Sequence, residues 1–172
     1  MIFETPRLYV RPLKESDEEH FFELMSNPNV MNPIPHKPLN AEESAATLTE
    51  LIELEKKSDT KIWSLCEKGC DDLIGFCGLL KNNEGQDEIA YRLIERFWGE
   101  GYGTEIAKGL IDFCYNEMKS KLVTADVYIE NTKSIKILAK FFTPQKEFFN
   151  AEDNCVDRRY AVTKENWLKH FS

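Results

Sequence analysis

Three glycines alternate through Trp98-Gly99-Glu100-Gly101-Tyr102-Gly103-Thr104-Glu105. An apolar strand pattern ends just before this run, and a helical pattern starts just after it. Alternating glycines at such a junction let the chain turn tightly and leave bare N–H groups at a helix N-terminus, where the macrodipole adds attraction. The chemistry this serves is anion binding, with a phosphorylated ligand as the natural occupant. Two better-known glycine motifs are excluded. The dinucleotide fingerprint needs Gly-x-Gly-x-x-Gly, and this run has the wrong spacing. The Walker pattern fails because no Gly-Lys-Ser/Thr occurs. By themselves these residues leave two readings open, a structural turn and a phosphate cradle.

The elements that must hold this run follow from hydrophobic spacing. Residues 7–11 alternate as a strand, and Ser16 with Glu19 forms a capping box ahead of a helix with Phe21, Phe22, Leu24 and Met25 inward. Residues 29–39 carry Pro33, Pro35 and Pro38 and read as a semi-rigid loop. Asn40 with Glu43 marks a second helix, whose buried stripe is Leu48, Leu51 and Ile52. Residues 61–66, 73–80 and 88–94 read as strands, the last with Ile89, Tyr91 and Leu93 on one side. Residues 101–118 carry a broad apolar helical face that includes Met118. A strand at 123–129, a helix at 131–141, a strand at 158–163 and a short segment around Trp167 complete the chain. The strand–helix–strand unit after the glycine run implies a parallel pair, and the flanking hairpins imply antiparallel ones. The fold class is α+β, a mixed sheet in one domain over residues 1–172.

Charge limits the partners. Lys and Arg number 22 against 30 Asp and Glu, a net −8 that argues against general nucleic-acid binding and suits a cationic acceptor or simple solubility. No apolar run approaches a membrane span, and the first residues lack a signal-peptide pattern, so a cytoplasmic protein with no membrane partner is expected. The five cysteines are odd in number, which speaks against a disulfide framework. Cys66-x3-Cys70 has no second Cys/His pair, so no metal is expected.

Residues 91–105, Tyr-Arg-Leu-Ile-Glu-Arg-Phe-Trp-Gly-Glu-Gly-Tyr-Gly-Thr-Glu, resemble the acetyl-CoA signature of the GCN5-related N-acetyltransferase (GNAT) superfamily. They are most similar to its RimJ/RimL-like branch, which acetylates ribosomal-protein N-termini and related amines. Thr5 to Arg11, Leu73 to Leu79, Asn131-Thr132-Lys133-Ser134 and Tyr160 to Trp167 resemble other parts of that branch, so the likeness covers nearly the whole chain.

The resemblance implies a strongly twisted mixed sheet with helices on both faces and a splayed parallel strand pair that admits the pantetheine arm. It implies that Leu93 and Ile94 offer main-chain groups to the pantetheine. Trp98, Gly99, Glu100, Gly101, Tyr102, Gly103 and Thr104 form the diphosphate loop, with the Glu100 carboxylate turned outward. Asn131 and Ser134 complete the cofactor site. Acetyl-CoA is the implied cofactor, and direct transfer to a primary amine in a ternary complex the implied reaction. The acceptor is a protein N-terminus, a polyamine or a small-molecule amine, and a homodimer stays open.

Glu88 is the candidate base, where the family often has an acid; the bland alternative is a surface carboxylate paired with a lysine. Ser134 is the candidate to protonate the thiolate, against the alternative of a first-turn serine satisfying the backbone. Asn131 could bind pantetheine, cap its helix, or both. Leu138 stands where relatives place a general-acid Tyr, so that role, if filled, falls elsewhere. Acceptor recognition falls to residues 32–36, including His36, and to the first two helices; Glu15, Asp17, Glu18 and Glu19 could form an acidic mouth, against the alternative of a solvated face favouring a helix N-terminus. A non-catalytic CoA-binding sensor is the competing class.

Overall fold

The computed structural model describes residues 1–171. Eight strands form one sheet: β1 (Phe3–Glu4), β2 (Leu8–Pro12), β3 (Lys61–Glu67), β4 (Leu73–Lys81), β5 (Asp87–Leu93), β6 (Leu122–Tyr128), β7 (Thr143–Asn150) and β8 (Cys155–Thr163). Their spatial order is β1-β2-β3-β4-β5-β6-β8-β7. Every pairing is antiparallel except β5 with β6. Six helices accompany them: α1 (Glu18–Met25), α2 (Pro28–Met31), α3 (Ala41–Lys57), α4 (Tyr102–Asn116), α5 (Thr132–Leu138) and α6 (Lys164–His170). Helix α4 is the crossover that the parallel pair requires.

Each sheet face carries its own core. On one face Ile106, Leu110, Ile111 and Tyr115 of α4 and Trp167 of α6 pack on Leu65, Cys77, Ile89 and Val123. On the other, Phe21, Leu24 and Met25 of α1, Val30 and Met31 of α2 and Leu48 of α3 pack on Ile62, Leu73 and Phe76. Helices thus cover both faces, as expected. In β5 the odd residues point to the α4 face and the even residues to the α1–α3 face.

Several boundaries differ from the sequence reading. Helix α1 does not start from a Ser16–Glu19 box. Asp17 is drawn inward to Arg11, and its carboxylate accepts the Lys14 N–H at 3.0 Å. Residues 28–31 form a helical turn, because Asn27 caps the Asn29 N–H and Pro28 suits the first helical position. Helix α4 stops at Asn116, Lys119 adopts φ 56°, and Met118 is exposed instead of inward. Strands β1 and β7 were unread. Strand β7 lies at the sheet edge with Pro144 and Lys146 flanking a register shift, a composition that hides a strand from pattern reading.

Candidate active site

The glycine run folds as a turn leading straight into α4. Gly99 and Gly101 both sit at φ 81°, where any L side chain is strained although neither position is crowded. Gly103 eases packing: a Cβ there would come within 2.8 Å of the end of the Ile137 side chain, which would have to shift, so glycine lets α4 and α5 approach. Helix α4 opens with Glu105 N–H donating to Gly101 O at 3.1 Å. Among the described residues, no protein acceptor takes the N–H groups of Gly99, Glu100, Gly101, Tyr102, Gly103 or Thr104. Such a row of donors at the head of a 15-residue helix fits a diphosphate.

Side chains brace the turn. Arg7 donates to Glu100 O at 2.9 Å and to Glu105 Oε2 at 2.7 Å, and its guanidinium lies 4.5 Å from the Tyr102 ring centroid. Trp98 donates its indole N–H to Leu93 O at 3.0 Å, and Lys133 Nζ lies 4.2 Å over the indole. Lys140 donates to Thr104 Oγ1 at 3.0 Å. These lysines bring positive charge to the rim of the glycine turn.

Strands β5 and β6 pair only at Asp87–Val123 and Glu88–Thr124. Beyond that they part, and a cleft of about 930 Å³ opens along the gap. Main-chain groups alternate in direction along a strand. Ile94 donates its N–H to Ile74 O on β4 at 2.9 Å, so Leu93 and Tyr91 turn theirs toward the gap. Ile94 O takes the Phe97 N–H at 2.9 Å, and Ile94 does not line the cleft.

Glu88 lies at the fork of the two strands and lines the cleft. Its carboxyl is pushed up to about 7, chiefly by burial and then by the Asp126 carboxylate, with Arg159 and the Asp126 N–H acting the other way. No lysine pairs with it; neighbouring Lys81 bonds Asp87 instead. Asp126 is held by the Arg159 fork, with both bonds at 2.8 Å. On the opposite wall the Tyr91 hydroxyl is buried without a hydrogen-bond partner, close to the Ser134 side chain. Burial pushes that phenol up to about 12.

Residues 7–141 match the acetyltransferase (GNAT) domain family. The chain belongs to that family. A GNAT acetyltransferase from Bacillus anthracis has the same fold, with a TM-score of 0.81 at 22% identity, over 94% of this chain and 98% of that one. The RimL ribosomal L7/L12 alpha-N-protein acetyltransferase, in complex with coenzyme A, gives 0.77 at 18% identity, covering 94% and 97%. In sequence, the N-acetyltransferase p20 of Bacillus licheniformis, itself uncharacterised, is 29% identical over 137 residues, 78% of this chain and 77% of p20. The GNAT fold is thus the fold of this chain, the enzyme class is N-acetyltransferase, and acetyl-CoA is the cofactor.

Within the GNAT cleft, Glu88, Leu93, Trp98, Gly99, Gly101, Tyr102, Gly103, Thr104, Asn131 and Ser134 all line one continuous space. Ile94 and Glu100 do not. The first is sealed into the core with both main-chain groups taken. The second is exposed, as expected, and contributes its backbone alone. Asn131 caps α5 by accepting the Ser134 N–H at 3.3 Å. Leu138 is buried in the core. The acidic mouth does not form: Glu15, Glu18 and Glu19 border a separate depression, and Asp17 is buried against Arg11. His36 does line the cleft and pairs with Asp153 at 3.1 Å. The sequence reading missed Tyr91, Arg92 and Asp126, whose signal was strand alternation on either side of the gap.

Proposed function

We propose that this GNAT chain acetylates a primary amine by direct attack in a ternary complex, with Glu88 accepting the amine proton. One observation carries the reading: a carboxyl poised near neutrality stands at the fork of the parallel strands, in the same cleft as a row of unused amides.

The N–H groups of residues 99–104 would hold the diphosphate, and Leu93 and Tyr91 would meet the pantetheine amides as an added strand does. When bound, acetyl-CoA supplies the acetyl group as an activated thioester. Glu88 takes a proton from the amine as the nitrogen–acyl bond forms. Ser134 and Tyr91 offer hydroxyls that would give a proton to the departing thiolate. No cysteine is needed as nucleophile: Cys66, Cys77 and Cys114 have thiols pushed up by burial, which suits core residues. The opening strand, the Asn131–Ser134 helix start and the fold match to RimL support the RimJ/RimL-like branch. Within it the acceptor is a protein N-terminus, a polyamine or a small-molecule amine.

The test is acceptor-dependent release of free thiol from acetyl-CoA across an amine panel, beside calorimetry with coenzyme A. Thiol release that requires an amine supports transfer. Binding of coenzyme A with no thiol release for any amine would point to a sensor instead.

A further inference from the structure

Six arginines occur in the chain, and five of them bond a carboxylate. Arg7 pairs with Glu105, Arg11 with Asp17, Arg96 with Glu23, Arg158 with Glu147 and Arg159 with Asp126. Arg92 alone, among the described residues, has none. Its Nη1 donates only to the sulfurs of Met25 and Met31, at 3.5 and 3.3 Å, and its guanidinium lies 5.0 Å from the Phe76 ring centroid. Sulfur is a weak acceptor and an aromatic face a partial one. The Nε and Nη2 donors have no protein partner, are not sealed from the surface, and belong to a residue that lines the cleft.

An enclosed guanidinium without a counter-charge is costly, and a merely structural role would be filled as well by an apolar side chain. Burial does pull its pKa down, to about 10, with Asp153 opposing. It therefore stays charged at neutral pH. Asp153 acts on it only at a distance, without an ion pair, and its carboxylate bonds His36 and Asn150.

Position gives the charge a meaning. Arg92 and Glu88 share one face of β5, four residues apart, which separates their Cα atoms by roughly 13 Å. Both line the same cleft, on the sheet face covered by α1 and α2 rather than α4. Ala90 lies between them on the strand, and it lines the same cleft as Ile34 and Phe97. An amine placed for Glu88 leaves the rest of its molecule pointing along the strand toward the guanidinium.

We propose that the acceptor is an amine that also carries a carboxylate, which Arg92 binds through its free N–H fork. The net acidity of the chain suggested a cationic acceptor; the local charge of the cleft selects a zwitterionic one, of the amino-acid or short-peptide type. This rests on the transferase reading above, whose acceptor it narrows. A planar carboxylate suits the planar fork of arginine better than any cation or neutral amide does.

The experiment compares amino acids and dipeptides, the same molecules as carboxamides, and diamines of equal length. Acetyl-CoA and the intact chain are used, with thiol release and calorimetry on the CoA-bound protein as readouts. A peptide with an acidic side chain but an amidated C-terminus distinguishes a side-chain carboxylate from a terminal one. Carboxylates are expected to exceed their amides at least tenfold in kcat/KM or in affinity, and Arg92→Gln to bring that ratio close to one. Arg92→Lys should recover part of the preference. Amides or diamines used as well as carboxylates by the wild-type chain overturn the proposal while leaving the transferase reading intact. Carboxylates that bind in an Arg92-dependent way without any turnover sustain Arg92 binding and sink the transfer step. Should Arg92→Gln fail to fold, the wild-type comparison of acids with amides decides alone.

Discussion

Glu88 pairs across the sheet with Thr124, and contact between β5 and β6 ends at that pair. The carboxyl therefore stands where backbone hydrogen bonding gives way to an open gap, enclosed enough to lose hydration yet facing the cleft. This single placement accounts for both its raised pKa and its proposed role.

With Glu88 as base, kcat/KM should rise as pH increases through about 7, because only the ionised form accepts a proton. Glu88→Gln should lower turnover by about 100-fold or more and flatten that limb of the profile, with little change in coenzyme A affinity. Stability must move the other way. A carboxyl whose folded-state pKa lies above its unfolded value favours the fold below the ordinary carboxylate range, and that contribution is lost as pH rises through about 7. Glu88→Gln, which carries no charge to bury, should then melt no lower than wild type at pH 8. A mutant both slow and unstable at that pH would show that Glu88 serves the fold and not the reaction.

Gly101→Ala tests the amide row. The substitution places a side chain at φ 81°, at a cost of roughly 1–2 kcal/mol. Relief of that strain rotates the N–H groups at the head of α4, so coenzyme A affinity should fall at least tenfold in calorimetry. Gly85 also has positive φ, 74°, in a hairpin away from the loop. Gly85→Ala should cost comparable stability and leave affinity unchanged, which separates strain from site.

What the residues revealed in advance depended on whether the cause was local. Asn40 and Glu43 marked the start of α3 because a cap and its helix are neighbours in sequence, and the structure shows the expected bond, Glu43 N–H to Asn40 Oδ1 at 2.8 Å. The glycine turn was legible for the same reason. Asp17 was misread because its partner, Arg11, lies on a strand, and a buried guanidinium outweighs a capping preference. Strand β7 was invisible because an edge strand has one solvated side and tolerates Pro144 and Lys146. The lack of a carboxylate beside Arg92 is a property of three dimensions, so no spacing rule could announce it. Ile94 turns its main chain away from the cleft because its direction depends on pairing with β4.

The Tyr91 hydroxyl offers a test in which stability and rate diverge. A buried hydroxyl without a partner is a liability to the fold, so Tyr91→Phe should hold or raise stability, by about 1 kcal/mol at most. If that hydroxyl and Ser134 serve the departing sulfur, Tyr91→Phe and Ser134→Ala should each lower kcat about tenfold without raising the KM for acetyl-CoA. The double mutant should lose less than the product of the two, because both hydroxyls meet one atom. Full additivity would assign them to separate tasks.

Arg11 and Asp17 give a purely structural prediction. Their side chains retain 10% and 3% of their exposure, and the guanidinium grips both carboxylate oxygens, at 2.9 and 2.7 Å. Asp17 also accepts the Lys14 N–H, so it joins β2 to the start of α1. Removing one member of an enclosed pair strands the other, and Asp17→Ala should cost about 3–5 kcal/mol in urea unfolding. Arg11 keeps Asp71, to which Nε donates at 2.8 Å, so the loss should fall at the lower end of that range. The exposed Lys56–Glu53 pair provides the control: Glu53→Ala should leave the unfolding midpoint where it is. Because α1 supplies Met25 to the floor beneath Arg92, the Asp17 variant should also blunt any preference for carboxylate acceptors, while coenzyme A affinity, proposed to depend on the amides at the head of α4, should persist.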